Sequence, residues 1–363
     1  MAALRLGAHR GQGLPDNDAM QNSMTFFLRP TCVVALACVL LAGCASAPAP
    51  RAAAPPPVPT AAAAPPPPKI GLALGGGAAK GFAHIGAIKM LEASGLRIDV
   101  VAGTSAGSVV GALYAGGMTP YQLQTQAFAL DEARIRDVSL FAGGLVKGQK
   151  LQDYVNALLA QKPMQDFRKP FAAVATELDS GRRTAFVRGN AGQAVRASSS
   201  IPGVFEPALI RGRRYVDGGV VSPVPVDAAR DLGADFVIAI DISSKAAGNR
   251  PDGMLGIVNQ SLTIMGEKLG AQELARADVV IRPRVGRIGA ADFDKKNLAI
   301  LEGEQAAQAA LPQIKAKLAA LQRVRAAAWA KKNAPPPRPT CEPSLLDKLG
   351  RWIGREGSCA ATD

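Results

Sequence analysis

The sequence predicts an α/β fold with a mainly parallel central sheet. Two units support this prediction, each consisting of a short apolar strand, a tight glycine-containing loop and a helix. The first strand is residues 70–74, followed by a run with helical spacing up to residue 91. The second strand is residues 98–102, followed by a helix over residues 108–116. With 363 residues and a hydrophobic content of 48%, the chain is long enough for one large core or two modest ones.

The second unit contains the motif Gly103-Thr104-Ser105-Ala106-Gly107. A serine at a strand-to-helix turn presents its hydroxyl, and only very small residues fit beside it. The helix that follows brings its N-terminal amides and positive dipole end close to the serine, where they favour developing negative charge. We therefore predict that Ser105 is a nucleophile in acyl transfer, although the pentapeptide alone is a weak signal in a chain with 38 glycines.

A glycine loop at residues 75–81 follows the first strand. The phosphate-binding pattern requires Ser or Thr after its lysine, whereas Lys80 is followed by Gly81. The dinucleotide pattern Gly-x-Gly-x-x-Gly also fails, whichever of the first two glycines begins it. A nest of amides for an oxyanion requires only small residues near the reacting carbon. Because the carboxyl ends of parallel strands share one edge of a sheet, we expect this loop to meet Ser105.

Two residue types compete for the role of general base. Histidine normally activates a serine nucleophile, and His84 lies about one turn into the first helix. We interpret His84 as structural and favour a carboxylate that accepts the serine proton directly. Asp217 is the best candidate, because burial raises a carboxyl pKa from about 4 towards that of a useful base. Asp179 and Asp241 are rivals, and a simple turn-initiating role for Asp217 is the alternative.

The residues before position 70 predict an export signal and a spacer. Residues 31–42 form an apolar run that is too short to span a bilayer and is typical of a signal peptide. The run ends in Leu41-Ala42-Gly43-Cys44, which resembles a bacterial lipobox and implies a lipidated Cys44. The residue after it, Ala45, suggests the outer membrane of a bacterial cell envelope. An ordinary cleaved signal, or a short anchor with a chance cysteine, is the alternative.

We divide the chain into four parts from these patterns. Residues 45–69 are almost wholly Ala and Pro, which predicts a semi-rigid linker. The parts are the N-terminal extension and signal (1–43), the linker after the lipidated cysteine (44–69), the catalytic domain (70–330) and a Pro-rich linker with a C-terminal tail (331–363).

The net charge limits the kinds of binding partner, and the cysteine positions limit the kinds of catalytic chemistry, that we expect. The net charge of +13 favours an anionic membrane surface, and nucleic acid is the weaker candidate because no aromatic-rich basic motif accompanies the charge. No cysteine lies between residues 45 and 340, so we expect no thiol nucleophile in the catalytic domain. Cys341 and Cys359 either pair in an oxidising compartment or remain thiols.

Other strands are predicted at residues 171–176, 184–187, 236–240 and 279–281. Helices are predicted at residues 120–130, 150–161 and 298–330, with a short one at 345–353. We expect the 298–330 helix to pack on the sheet through Leu301, Leu311, Ile314, Leu318 and Leu321.

Three stretches together resemble patatin-like phospholipases. Residues 75–81 resemble the family's oxyanion loop, 103–107 its nucleophile elbow and 217–219 its Asp-Gly-Ala/Gly motif; residues 197–205 and 233–239 also match. The resemblance covers about residues 70–245. It implies a three-layer α/β/α sandwich, a Ser-Asp dyad, and esterase or lipid acyl hydrolase activity on a lipid ester or phospholipid, without metal or organic cofactor.

The resemblance also implies a role for each motif residue. It makes Ser105 the nucleophile and Asp217 the base, and it gives the oxyanion hole to the amides around Gly76, Gly77 and Ala78. Lys80 occupies the position of the family's basic residue and is a candidate contact for phosphate or another anion. The motif glycines are Gly103, Gly107, Gly218 and Gly219. The sequence departs from the family pattern at Ala78, where the family has its third glycine.

Two other functions compete with hydrolysis. One is a catalytically silent, membrane-tethered module that binds lipid or protein on the same fold; intact Ser105 and Asp217 count against it. The other, a nucleotide-binding α/β protein, requires a loop pattern that the sequence lacks.

Overall fold

The computed structural model describes residues 64–130, 146–246 and 251–334. Within these residues the strands are β1 (Ile70–Leu74), β2 (Val100–Thr104), β3 (Phe171–Glu177), β4 (Arg183–Phe186), β5 (Ala208–Ile210), β6 (Arg213–Asp217), β7 (Phe236–Ile240) and β8 (Val279–Ile281). The α-helices are α1 (Phe82–Ala93), α2 (Ala106–Gly116), α3 (Pro120–Ala129), α4 (Gln149–Leu158), α5 (Ala191–Ser198), α6 (Val226–Asp231), α7 (Gly253–Leu274) and α8 (Lys296–Lys332).

Hydrogen-bonded pairs connect the strands into one mixed sheet in the order β5-β6-β3-β2-β1-β7-β8. β4 also pairs with β3. From β3 through β2, β1 and β7 to β8, all pairs are parallel. β4 and β6 both run antiparallel to β3. The parallel centre matches the predicted sheet, and the antiparallel strands are an addition to it.

The register of β3 brings the end of β6 to the end of β2. Val174 of β3 pairs with Thr104 on one edge and with Ala185 of β4 on the other. The next residue, Ala175, pairs with β4 and also with Asp217. Because β4 pairs with one edge of β3 at this point, β6 must pair with the other edge, which is the edge that β2 pairs with. β6 therefore lies just beyond the carboxyl end of β2. Asp217 therefore lies beside the residue that follows Thr104.

Helices cover both faces of the sheet and complete three layers. On one face, Leu72, Leu74 and Ile238 belong to the core shared with α1 and α2. On the other face, Ala73 and Val237 belong to the core shared with α6. This alternation is the period-two pattern of strands buried on both sides, and it confirms the predicted α/β/α architecture.

The long helix α8 packs closely on α1, and it also contacts β8 of the sheet, as predicted. A Cβ on Gly86 of α1 would lie 1.9 Å from the Ile300 carbonyl oxygen, and one on Gly303 of α8 would lie 2.0 Å from that of Ala83. Two glycines thus let the helix backbones approach. Ile314 and Leu318 are buried as expected, whereas Leu301 is 48% exposed.

Several predicted features lie outside the described residues. They are the signal, Cys44, most of the Ala/Pro linker, Cys341, Cys359 and the helix at 345–353. In the three described ranges, no helix combines the length and apolar character needed to cross a membrane.

Candidate active site

Ser105 lies at the turn between β2 and α2 in a strained backbone conformation. Its φ and ψ angles are 53° and −124°, a combination that non-glycine residues rarely adopt. A Cβ on Gly103 would lie 2.3 Å from the Gly107 carbonyl oxygen, and one on Gly107 would lie 2.1 Å from that of Leu74. Both flanking positions therefore require glycine, as the sequence predicted for a sharp turn.

The peptide groups around Ser105 are held by two other serines. Its N–H donates to the Ser198 hydroxyl at 2.9 Å, and that hydroxyl donates to the Val174 carbonyl at 2.5 Å. The Ser105 carbonyl accepts from the Ser108 hydroxyl at 2.7 Å. These bonds fix the strained turn from both sides.

Asp217 ends β6 and is held by backbone groups. Its N–H donates to the Ser200 carbonyl at 2.8 Å, and its carbonyl accepts from the Thr176 hydroxyl at 2.9 Å. Its Oδ1 accepts from the Gly219 N–H at 2.6 Å. The close packing extends to Gly218, where a Cβ would lie 2.2 Å from the Val174 carbonyl oxygen.

The carboxyl group of Asp217 is tuned towards proton acceptance. Burial raises its pKa to about 6, and interactions with the Ser105 hydroxyl and the Gly219 N–H hold it below a still higher value. Ser105 and Asp217 are therefore neighbours. Oδ2 has no hydrogen-bond partner of standard geometry among the described residues, so it can accept a proton. Catalytic contacts are commonly loose before substrate binds.

His84 is bonded to the glycine loop. It is fully buried, and its Nε2 lies 2.8 Å from the Gly75 carbonyl oxygen. Burial lowers its pKa to about 4, so the ring is neutral near pH 7 and donates the Nε2–H to that carbonyl. His84 thus supports the start of the glycine loop. The rival carboxylates pair with arginines, Asp179 with Arg214 and Asp241 with Arg282.

The glycine loop passes directly beside Ser105. A Cβ on Gly76 would lie 3.2 Å from the Ser105 Cβ. The Gly76 N–H donates to the Pro223 carbonyl at 3.0 Å, so this amide already has an acceptor, and its contribution to an oxyanion hole stays a prediction. The amides of Gly77 and Ala78 have no acceptor among the described residues.

The amide of Ala106 is a further candidate for an oxyanion hole. Ala106 begins α2 directly after Ser105, and its N–H has no acceptor within the described part of the chain. The first amides of a helix have no intrahelical partner. In this type of turn the residue after the nucleophile commonly supplies one donor.

Ala78 takes a position that favours glycine. Its φ angle is 51°, in the left-handed region. This is the residue where the sequence departs from the family's glycine pattern.

Lys80 does not reach the space beside Ser105. It is 5% exposed, its Nζ donates to the Ser244 hydroxyl at 2.6 Å, and it is absent from the residues that line the neighbouring cavity. Burial lowers its pKa, and Asp241 partly offsets this effect. The contact of Lys80 with a substrate phosphate stays a prediction.

A cavity of about 160 Å³ opens beside Ser105. Most of its lining is apolar, with Ser105 and Ser199 as the hydroxyl residues besides Tyr154. Its lining residues are Ala78, Gly81, Phe82, Ser105, Ala106, Val109, Val110, Leu130, Leu151, Tyr154, Ser199, Ile201, Phe205 and Phe293. An apolar cavity next to a nucleophile suits a hydrocarbon chain.

Sequence reasoning missed the residues that hold the two candidate catalytic groups. Ser198 binds the Ser105 amide and the Ser200 carbonyl binds the Asp217 amide. The run of three serines at 198–200 was a usable signal, since short hydroxyl residues in sequence often bond nearby backbone. Thr176 carried no comparable signal, because its contact depends on strand register.

No group of His, Cys, Asp and Glu in the described ranges is arranged to hold a metal ion.

The part of the chain that contains this site is similar to known proteins. Residues 72–230 match the family model of patatin-like phospholipases. An uncharacterized NTE family protein of Mycobacterium bovis is 36% identical over 187 residues, which make up 51% of this chain and 52% of that protein. Lysophospholipase NTE1 of Pyricularia oryzae is 32% identical over 203 residues, 53% of this chain and 14% of that protein.

A solved structure shows the same fold. VipD from Legionella pneumophila superposes with a TM-score of 0.50 at 14% identity, covering 69% of this chain and 67% of that chain. The chain spans about half the length of the mycobacterial relative. Residues 72–230 are therefore similar to patatin-like phospholipase domains, and the chain has relatives in the NTE family.

Proposed function

We propose that this protein is a serine esterase that hydrolyses carboxylic ester bonds of lipids with a Ser105–Asp217 dyad. The observation that supports this most is the pairing of a strained serine with a buried carboxyl whose pKa is raised to about 6. A carboxylate with that pKa accepts a proton far better than a free aspartate while remaining ionised at neutral pH.

The reaction follows from the positions of these groups. Asp217 takes the proton as the Ser105 oxygen attacks the ester carbonyl carbon. The amides of Gly77, Ala78 and Ala106 stabilise the negative charge on the carbonyl oxygen. Collapse of this intermediate breaks the ester bond, and Asp217 returns the proton to the departing alcohol. Asp217 then takes a proton from water as the water attacks the acyl-serine, and it returns that proton to the Ser105 oxygen as the fatty acid is released.

The apolar lining of the cavity supports a lipid substrate. Aromatic and aliphatic side chains cover most of its surface, which favours an acyl chain over a polar substrate. The fungal relative is a lysophospholipase, which agrees with this choice. The cavity and the relative together support a lipid acyl hydrolase.

We also propose that the protein is attached to the bacterial outer membrane through lipidated Cys44. The lipobox-like sequence supports this proposal, and the net charge of +13 adds attraction to anionic lipid that weakens with salt. Metabolic labelling with an alkyne fatty acid tests it. Wild type should be labelled and Cys44→Ser should not; equal labelling of both would contradict the attachment site.

Ester hydrolysis tests the proposed chemistry. Purified protein is assayed on p-nitrophenyl esters of graded chain length and is labelled with a fluorophosphonate. We expect Ser105→Ala and Asp217→Asn to lose at least ~10³-fold in kcat/KM, and Ser105→Ala to lose the label. Asp179→Asn is the matched control, because Asp179 is exposed and pairs with Arg214.

Two results would contradict the proposal. Full activity of Asp217→Asn would show that the base lies elsewhere. Wild type that is silent on every ester and unlabelled by fluorophosphonate would favour the binding module.

A further inference from the structure

Glu273, near the end of α7, is a buried carboxylate that the proposed reaction does not use. It is 6% exposed. Its Oε1 accepts from the Ser222 hydroxyl at 2.5 Å, and its Oε2 accepts from the Val224 N–H at 2.8 Å. Both donors belong to residues 218–224, which connect Asp217 to α6 and are called the connecting segment below.

The connecting segment is bonded to the two parts of the site that come earlier in the chain. The Ser222 carbonyl accepts from the Thr104 hydroxyl at 2.8 Å, and Thr104 directly precedes the nucleophile. The Pro223 carbonyl accepts from the Gly76 N–H at 3.0 Å, in the glycine loop. Two consecutive carbonyls of this segment therefore hold the elbow and the loop.

The same segment also fixes the turn after the general base. The Ser222 N–H donates to the Gly218 carbonyl at 2.8 Å, directly after Asp217. Ser222 is thus bonded to the elbow through its carbonyl, to the turn through its N–H, and to Glu273 through its hydroxyl.

We propose that Glu273 is a positioning residue, which holds the connecting segment and thereby sets the nucleophile, the base and the amide loop relative to one another. This inference rests on the proposed function. It extends the functional residues to α7, which lies outside the stretch of motifs that resembles the family.

A carboxylate suits this role because it accepts from two converging donors at once. Loss of both acceptor oxygens would leave two buried donors unpaired, which is unfavourable because neither donor regains a partner. Alanine would therefore let the connecting segment shift, whereas glutamine keeps the shape and one carbonyl acceptor.

The ionisation of Glu273 provides a signature of its own. The pKa of Glu273 is raised to about 7, mainly by burial. The bonds from Ser222 and Val224 lower this pKa, and the nearby charges act in both directions: Asp227 on α6 raises it and Arg276 lowers it. Protonation converts one acceptor oxygen into a donor and weakens the hold on the connecting segment. In wild type, kcat should therefore rise with pH through two ionisations, that of Asp217 near 6 and that of Glu273 near 7.

The experiment compares kcat and KM on a p-nitrophenyl ester for full-length wild type, Glu273→Ala and Glu273→Gln. We expect Glu273→Ala to lower kcat about 10- to 100-fold with KM within about 3-fold, because the acyl cavity lies elsewhere. Glu273→Gln should recover to within about 5-fold of wild type and lose the ionisation near 7. Glu267→Ala, on the same helix but bonded to the Ala246 N–H, is the matched control and should resemble wild type.

A folded Glu273→Ala protein with wild-type kcat overturns the inference. If Glu273→Ala does not fold, the pH profile of kcat for Glu273→Gln tests the inference instead. A Glu273→Gln profile that keeps both ionisations overturns the inference. Failure of wild type itself to hydrolyse esters or to react with fluorophosphonate is failure of the proposed function instead. Positioning is then tested by hydrogen exchange, where Glu273→Gln should raise exchange at the amides of Gly76, Ser222 and Val224, and unchanged exchange overturns the inference.

Discussion

Ser105 and Asp217 are neighbours, but different constraints hold them. Ser105 lies in the parallel part of the sheet with a strained backbone, forced by a turn whose flanking glycines leave no space for a side chain. Asp217 lies in the antiparallel part with φ −48° and ψ 136°, an unstrained conformation. Three bonds to Ser200, Thr176 and Gly219 hold it. The nucleophile is thus fixed mainly by steric packing that enforces a strained turn, and the base mainly by hydrogen bonds to an unstrained backbone.

The difference implies that the two halves of the site fail in different ways. Strain around Ser105 costs of order 1–3 kcal/mol and persists only while the surrounding packing enforces it. The ionised form of Asp217 is held against an unfavourable buried environment. Changes at the elbow should therefore act on folding, whereas changes around Asp217 should act on the pH dependence and on the rate.

The largest expected effect is at the elbow. Gly107→Ala puts a Cβ 2.1 Å from the Leu74 carbonyl oxygen, so the turn must rearrange at a cost of at least ~4 kcal/mol. Urea unfolding measures the loss. Gly266→Ala is the control, because no atom lies within 4 Å of its added Cβ, and it should be neutral or stabilising. A Gly107→Ala protein with wild-type stability would contradict the packing described for the elbow.

The ionisation of Asp217 should couple stability to pH. Its pKa is about 6 in the folded protein and about 3.8 in the unfolded chain, so the folded state binds more protons between these values. Stability from this group is full below pH ~4 and falls by about 3 kcal/mol as pH rises through 6. The stability of Asp217→Asn relative to that of wild type should therefore rise by about 3 kcal/mol between pH 4 and 7. We expect this variant to be inactive at both pH values.

Urea unfolding of both proteins at the two pH values measures this change. Asp179→Asn should show little of it, because Asp179 is exposed. A difference between wild type and Asp217→Asn that does not vary with pH would mean that Asp217 is not held in a desolvating environment.

A smaller effect is expected from the bond that positions Asp217. Thr176→Val removes the hydroxyl that donates to the Asp217 carbonyl, which should cost about 1–2 kcal/mol and lower kcat about 10-fold. Thr184→Val on neighbouring β4 is the control. The Thr184 hydroxyl has no hydrogen bond within the described ranges, and Thr184 pairs with Ala175, the β3 residue that also pairs with Asp217. Equal kcat values for the two variants would show that this bond does not position the base.

The smallest effect is expected at Ala78. Ala78→Gly relieves the left-handed strain of ~1 kcal/mol but increases the conformational freedom of the unfolded chain. We expect a net gain in stability of about 0.5 kcal/mol. Thermal unfolding and kcat measure the outcome. Because the amide remains, kcat should stay within about 2-fold, and a loss greater than 10-fold would show that the methyl group itself shapes the site.

The sequence predicted the parallel part of the molecule closely. β1, β7 and β8 have the expected bounds, because each is a short apolar run between breaking residues. β2 begins two residues later than expected, since Ile98 and Asp99 precede the paired stretch. The elbow glycines were predictable because their requirement is steric and local.

The antiparallel part was predicted less well. The strands β5 and β6 were missed, because the alternation in such short strands is weak and their pairing depends on the register of β3. Glu273 was missed for a similar reason, since 49 residues separate it from Val224 along the chain. Asp217 was found through its glycine context and the resemblance, and nothing local in the sequence placed it beside Ser105.

The claim that a carboxylate, and not His84, activates Ser105 is tested most directly by the rate of fluorophosphonate labelling. Asp217→Asn is compared with His84→Gln, in which the glutamine amide can still donate to the Gly75 carbonyl. We expect the labelling rate of Asp217→Asn to fall at least ~10³-fold and that of His84→Gln to stay within about 10-fold of wild type. Rapid labelling of Asp217→Asn with loss of labelling in His84→Gln would contradict it and assign the base to the imidazole.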